Sequence, residues 1–151
     1  MIHVNVYEGE QTVVVDIEGH SGYEERGKDI VCAGVSALHH AFRVTAMARG
    51  IHIRCMDKNG FSRMEIDADD IFNYDVGDSL LNMMLRGMLA ITGEYPEYLS
   101  VRFSDGEAPP VGFAPGGADD TMETTGTSSI LRRATMTAGE TAQNFSQSKE
   151  R

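Results

Sequence analysis

One segment near the N-terminus constrains the fold more than any other, because it joins a strand, a polar loop and a helix in a fixed order. A valine-rich stretch with alternating apolar residues ends at Gly19 and His20, which is typical of a half-buried strand. A glycine-punctuated polar loop covers residues 21–28, and Asp29 then precedes an apolar helix predicted over residues 30–49. The imidazole of His20 and a helix N-terminus are therefore expected at adjoining ends of two elements.

Cys32, in the first turn of that helix, has the setting of a reactive thiol. Asp29 is a strong N-cap residue, and the helix dipole and a nearby imidazolium both favour a thiolate at Cys32. His20 is the candidate general base and then general acid, Ser36 lies one turn further on the same face, and first-turn N–H groups are candidate oxyanion donors. A free cysteine is nevertheless more often a buried, inert side chain. Spacing alone leaves both interpretations open.

Residues 19–38, with the motifs GHSGY and GKDIVCAGVSAL, resemble the ribosomal-processing cysteine protease family, often called Prp. The resemblance covers roughly residues 1–103 and implies removal of a short N-terminal extension from a large-subunit ribosomal protein, a step in ribosome biogenesis. It implies Cys32 as the nucleophile and His20 as the base. It also implies supporting positions at Gly19, Asp29 and Ser36, and a substrate-binding loop that contains Ser21, Gly22, Tyr23, Glu24, Glu25 and Gly27.

We predict that this polar loop is a mobile lid. Gly22 and Gly27 give it two points of free backbone rotation, and its charges disfavour packing on an apolar core. Tyr23 is expected to cover an apolar side chain of a bound peptide, while Glu24 and Glu25 meet basic residues. An ordinary solvated turn is the alternative interpretation.

The order of predicted elements is ββαββαβ. Strands are predicted near residues 2–7, 13–19, 51–56, 61–67 and 98–103, and helices near 30–49 and 76–92. This order predicts an α+β sandwich with two helices packed on a mixed or antiparallel sheet.

Residues 1–103 form the predicted protease domain. Residues 104–151, rich in Pro, Gly, Thr and Ser, are predicted to be a low-complexity, mostly disordered tail, in which a short helix near 129–136 is able to present Ile130, Leu131 and Met136 to a partner.

Composition narrows the functional class. At 151 residues and 41% apolar content the chain suits one domain, and its net charge of −10 argues against direct nucleic-acid binding and favours a basic peptide partner. The cysteines, Cys32 and Cys55, give no disulfide framework, and no secretory signal or long apolar run is evident. We therefore expect a cytoplasmic protein without a membrane span. No Cys-x-x-Cys or His-x-x-x-His accompanies His20 and Cys32, so neither a metal nor a cofactor is expected.

A homodimer is predicted from the second long helix, which is apolar over most of its circumference. The apolar positions are Val76, Leu80, Leu81, Met83, Met84, Leu85, Met88, Leu89 and Ile91. The sequence thus predicts a homodimeric cysteine endopeptidase that acts on the N-terminal segment of a precursor, either a ribosomal protein or a phage capsid or scaffold protein. The alternative is a catalytically silent, dimeric binding module in which Cys32 only packs.

Overall fold

The computed structural model describes residues 1–72, 75–111 and 130. The elements in chain order are β1 Ile2–Glu8, β2 Thr12–Gly19, α1 Ile30–Ala48, β3 Ile53–Lys58, β4 Phe61–Asp67, α2 Ala68–Phe72, α3 Asp75–Glu94 and β5 Leu99–Asp105. The order differs from the predicted one by the short helix α2, which follows β4 directly. A helix of 5 residues is too short to show a helical period in the sequence.

The strands form one mixed sheet in the order β3-β4-β2-β1-β5. Two antiparallel hairpins, β1–β2 and β3–β4, join through the β2–β4 pair, and β5 returns parallel to β1 after the helices. The register places Val6 opposite both Val15 and Phe103, so apolar side chains share one face of the sheet. The predicted α+β class and mixed sheet are confirmed.

The core lies between that face of the sheet and the two long helices. Its fully or almost fully buried members are Val4, Val6, Val13, Val15, Met64 and Ile66 from the strands, Val31, Val35, Phe42 and Ala46 from α1, and Leu81, Met84, Leu85 and Met88 from α3. Each of these valine, leucine, isoleucine, phenylalanine and methionine side chains stabilises the fold by about 1.5–3 kcal/mol relative to an exposed one. The two helices approach closely at Gly87, where an added Cβ would lie 2.8 Å from the methyl carbons of Leu38.

The broad apolar surface of α3, from which the dimer was predicted, is largely used inside the chain. Leu81, Met84, Leu85 and Met88 have no exposed surface, whereas Val76 and Met83 are 46% and 49% exposed. Burial by the sheet and α1 therefore accounts for most of the apolar circumference of α3. The homodimer is still a prediction, and its contact has to lie on a surface other than the buried face of α3.

The opposite face of the sheet carries a buried ion pair. Arg63 donates two hydrogen bonds to the Asp16 carboxylate, at 2.7 and 2.6 Å, and a third to the carbonyl oxygen of Pro109 at 2.9 Å. Ile130 is fully buried in the core cluster, and its N–H donates to Glu8 at 3.2 Å. Pro109 and Ile130 of the predicted tail thus contact the sheet, and β5 extends into the tail as far as Asp105. Residues 112–129 and 131–151 of that tail, Leu131 and Met136 included, lie outside the described residues.

Helix α1 meets the length and composition of a membrane-spanning helix, at 19 residues. Its Val31, Val35 and Phe42 are buried against the sheet and α3. A core helix of a globular domain satisfies the same criterion, so this feature alone does not argue for a membrane span.

Candidate active site

Cys32 occupies the first turn of α1, partly exposed, with its backbone fixed by the helix cap. The Asp29 side chain accepts a hydrogen bond from the Cys32 N–H at 2.8 Å, as its predicted role as N-cap requires. The Ala33 N–H donates to the Asp29 carbonyl oxygen at 3.0 Å. The N–H groups of Cys32 and Ala33 are therefore already engaged, and an oxyanion would have to be bound by other donors.

Gly19 determines where His20 lies. Its φ of +89° belongs to the left-handed region, and an added Cβ would approach the Met1 carbonyl oxygen to 2.6 Å, so only glycine fits. The Gly19 N–H donates to the Gly60 carbonyl oxygen at 2.8 Å. The end of β2 is thereby tied to the β3–β4 turn. His20 follows directly, and its Nε2 lies 3.3 Å from the position that a Cβ on Gly60 would occupy.

His20 and Cys32 line the same cleft. Within the described part of the chain no hydrogen bond joins the two side chains: the Cys32 sulfur contacts the N–H and hydroxyl of Ser21 and the Asp29 carboxylate. Hydrogen bonds between catalytic groups are often long in free enzymes and shorten when substrate binds, so this separation is compatible with a nucleophile and its base. Ser36 is exposed and lines the cleft one turn beyond Cys32.

Ser21 is part of the buried site, although the sequence placed it in the mobile loop. Its hydroxyl donates to the second oxygen of the Asp29 carboxylate and lies 3.4 Å from the Cys32 sulfur. Its backbone N–H donates to the same sulfur at 3.4 Å. Ser21 is only 4% exposed. The one signal in the sequence for this role is the position of Ser21. It directly follows His20 and precedes the helix that is capped by Asp29 and carries Cys32.

Asp29 is held as a carboxylate. Burial raises its pKa, but the hydrogen bonds from the Ser21 hydroxyl, from the Cys32 and Glu24 N–H groups and from the Cys32 side chain outweigh burial and lower the pKa below the ordinary aspartate value. At neutral pH the site therefore contains a negative charge beside the Cys32 thiol. Any stabilisation of a thiolate there has to act against that charge.

Residues 22–28 of the polar loop are exposed, and its two glycines have positive φ values, 72° at Gly22 and 91° at Gly27. Tyr23 makes edge-on ring contacts with Tyr95 and Tyr98, at centroid distances of 5.4 and 5.2 Å. In the free chain Tyr23 thus packs on the segment between α3 and β5. Its predicted contact with a bound peptide, and the predicted lid motion, remain predictions.

The cleft has a volume of about 790 Å³, and its far end is built around His39. His39 is buried, and its Nε2 lies 3.3 Å from the Ser62 hydroxyl, which donates its proton to Asp57 at 2.7 Å. Because that proton is used on Asp57, the tautomer with the proton on Nε2 is the one that completes a hydrogen bond to Ser62. Arg43 pairs with the same Asp57 at 2.7 Å. Burial, reinforced by His40, lowers the pKa of His39, so its imidazole is neutral at neutral pH. The sequence did not predict this end of the cleft.

Comparison with known proteins gives the site a context. A family model described as cysteine protease Prp matches residues 1–100. A crystal structure of the essential ribosomal processing protease Prp from Staphylococcus aureus, in complex with a covalently linked product peptide, is 28% identical, with a TM-score of 0.58 over 69% of this chain and 100% of that one. SMU.848 from Streptococcus mutans is 22% identical, with a TM-score of 0.54 over 70% of this chain and 95% of that one. No curated protein matched the sequence.

Proposed function

Because the chain belongs to the cysteine protease Prp family, we propose that it is an endopeptidase in which Cys32 is the nucleophile and His20 the base. The observation that carries the proposal is the position of Cys32, partly exposed in the cleft at the capped start of α1, with His20 on the same cleft. An inert packing cysteine has no need of a cleft, a cap and a neighbouring imidazole. This argument favours the enzyme over a silent binding module.

The proposed reaction is acyl transfer in two stages. The Cys32 sulfur attacks the scissile carbonyl carbon as its proton passes to His20, and a tetrahedral adduct forms. The carbon–nitrogen bond then breaks, His20 returns the proton to the leaving amine, and a thioester remains. Water, deprotonated by His20, hydrolyses that thioester and restores the thiol.

The proposed substrate is the N-terminal segment of a precursor protein. The support is the S. aureus Prp structure, whose description names a ribosomal processing protease with a covalently linked product peptide. A cleft of about 790 Å³ has room for several side chains of an extended peptide. Family membership favours a large-subunit ribosomal protein as the precursor, and a phage capsid or scaffold precursor is the second candidate.

We also propose a two-fold homodimer, with a surface on α1 as the contact. Exposed residues outside the cleft repeat there at heptad spacing, which is the spacing of a helix pair: Ile30, Ala37 and Val44, with Met47 three positions further on. Because Ala37 allows close approach and the same stripe faces itself across a two-fold axis, the proposed occupant is a second copy of the chain. Light scattering at micromolar concentration tests this. Val44→Glu is expected to give a monomer and Val76→Glu to leave the dimer intact, and a monomeric parent protein would refute the proposal.

The cytoplasm is the proposed compartment, because both cysteines are free, as is usual where thiols are kept reduced. The decisive test of function is to incubate the protein with synthetic N-terminal segments of large-subunit ribosomal proteins and of phage structural precursors, and to weigh the products by mass spectrometry. One defined cut by the parent protein, lost in Cys32→Ala, is expected. Absence of any cut, together with equal alkylation of Cys32 and Cys55, would identify a silent binding module.

A further inference from the structure

Ser21 stands between the Asp29 carboxylate and the Cys32 sulfur, and the family resemblance implies a place for it in the substrate-binding loop but no role for its hydroxyl at the sulfur. Its oxygen donates to the Asp29 carboxylate, lies 3.4 Å from the Cys32 sulfur and accepts a hydrogen bond from the Tyr23 N–H at 3.3 Å. A serine hydroxyl has one proton and two acceptor sites. With its proton on Asp29, the oxygen presents a lone pair towards the sulfur. That arrangement suits a thiol, which can donate its proton to the Ser21 oxygen or to the Asp29 carboxylate that it also contacts.

Ionisation of Cys32 changes what the sulfur needs from Ser21, because a thiol donates a hydrogen bond whereas a thiolate accepts one. A thiolate has no proton to give, so the lone pair of Ser21 would face a negative sulfur, with the Asp29 carboxylate close behind it. Rotation of the hydroxyl moves its proton from Asp29 to the sulfur. Asp29 retains the Cys32 N–H at 2.8 Å after this rotation, so the carboxylate is not left without a donor. The Ser21 N–H, at 3.4 Å, already points at the sulfur and does not have to move.

We propose that Ser21 is a catalytic residue whose hydroxyl rotates between Asp29 and Cys32 and stabilises the thiolate that attacks the substrate. This inference rests on the proposed function, in which Cys32 is the nucleophile. Burial strengthens the effect, since Ser21 is 4% exposed and water does not compete for its hydroxyl. Hydrogen bonds to an ionised partner are also the stronger kind. Because Ser21 follows His20 directly, base and hydroxyl are positioned by the same turn of the chain.

The test uses a Cys55→Ser background, so that Cys32 is the only thiol, and follows the rate of alkylation by iodoacetamide as a function of pH. Removal of the hydroxyl in Ser21→Ala is expected to raise the midpoint of the rate profile by about one pH unit. At a pH below both midpoints the rate then falls about tenfold. With a peptide that the parent protein cleaves, kcat is expected to fall while KM changes little, because the lost contact is to the reacting sulfur.

Two further variants separate chemistry from structure. Ser21→Thr keeps a hydroxyl and is expected to return the midpoint towards that of the parent. Ser100→Ala removes a serine hydroxyl that contacts His3 at 2.9 Å on the face of the sheet opposite the core, and is expected to leave the profile unchanged. Circular dichroism checks that each variant is folded.

The proposal is overturned if folded Ser21→Ala has the midpoint of the parent, or if Ser21→Thr is shifted as far as Ser21→Ala. Failure of the proposed function looks different. In that case the parent cleaves no precursor peptide, while the alkylation profiles still report whether Ser21 stabilises the Cys32 thiolate.

Discussion

The two ends of the cleft contain the same arrangement, a serine hydroxyl that donates to an aspartate and contacts an ionisable side chain. At the Cys32 end, Ser21 joins Asp29 to the Cys32 sulfur. At the His39 end, Ser62 joins Asp57 to His39. The surroundings differ: Cys32 is partly exposed on the cleft that His20 also lines, whereas His39 is buried and Arg43 neutralises its aspartate. The comparison indicates that access to the cleft and an imidazole on the same cleft, rather than the serine–aspartate pair, would separate the proposed nucleophile Cys32 from the buried His39.

The largest difference between the two ends is expected when the proposed nucleophile, Cys32, or its proposed base, His20, is removed. Cys32→Ala is expected to abolish peptide cleavage, and His20→Ala to lower kcat/KM by about 10³-fold or more, because nucleophile and base act as a unit. Cys55→Ser, on the exposed edge strand β3, is expected to retain full activity. Turnover of a precursor peptide measures all three. Normal turnover by Cys32→Ala or by His20→Ala would contradict the assignment.

A second test compares the two aspartates. Asp29→Ala removes the cap of α1 and leaves the buried Ser21 hydroxyl without its partner, so it is expected to lower the free energy of unfolding by about 1–2 kcal/mol. Asp57→Ala loses an exposed hydrogen bond from Ser62 and an ion pair with Arg43, in which the Arg43 and Asp57 side chains are 31% and 50% exposed, and is expected to cost about 0.5 kcal/mol. Urea titrations of the two variants measure the difference. Equal losses would show that Asp29 does no more for the fold than an exposed ion pair does.

The Cys32 end of the cleft also carries the polar loop of residues 21–28, which has no counterpart among the described residues at the His39 end. The ring of Tyr23 is expected to hold this loop in place. Tyr23→Ala removes edge-on contacts with Tyr95 and Tyr98, each of which contributes about 0.5–1.5 kcal/mol, so amide exchange across residues 22–28 is expected to speed up about tenfold. Tyr23→Phe keeps the ring and is the matched control, with exchange close to that of the parent. A non-cleavable peptide is expected to slow exchange in this loop in the Cys32→Ala protein. Slow exchange in Tyr23→Ala would mean that the ring contacts do not hold the loop.

The sequence predicted the elements better than it predicted the contacts between their ends. Alternation and helical spacing are local signals, and they located the five strands and both long helices, while Asp29 as N-cap follows from its position before an apolar run. The bond between Gly19 and Gly60 and the pairing of His39 with Ser62 join residues that are far apart in the chain, and no local period encodes them. The role of Ser21 was missed because a charged, glycine-bracketed loop predicts exposure, whereas Ser21 itself is buried.

The smallest expected effect is the dependence of stability on pH at the His39 end. The pKa of His39 is lowered below 6.5. Desolvation by burial is the largest cause, the charges of His40 and Arg43 add to it, and the charge of Asp57 opposes it. The folded state therefore binds fewer protons than the unfolded chain between the folded pKa and 6.5, so stability is complete above pH 6.5 and falls as the pH drops through that window. The carboxyl groups of Asp29 and Asp57 also have lowered pKa values, so their contribution to the free energy of unfolding is lost only as the pH falls below 3.8. Urea unfolding from pH 7.5 down to about 5, where aspartates are still ionised, should show a decline in the parent protein that is smaller in His39→Gln. An equal decline in both proteins would place the proton uptake elsewhere.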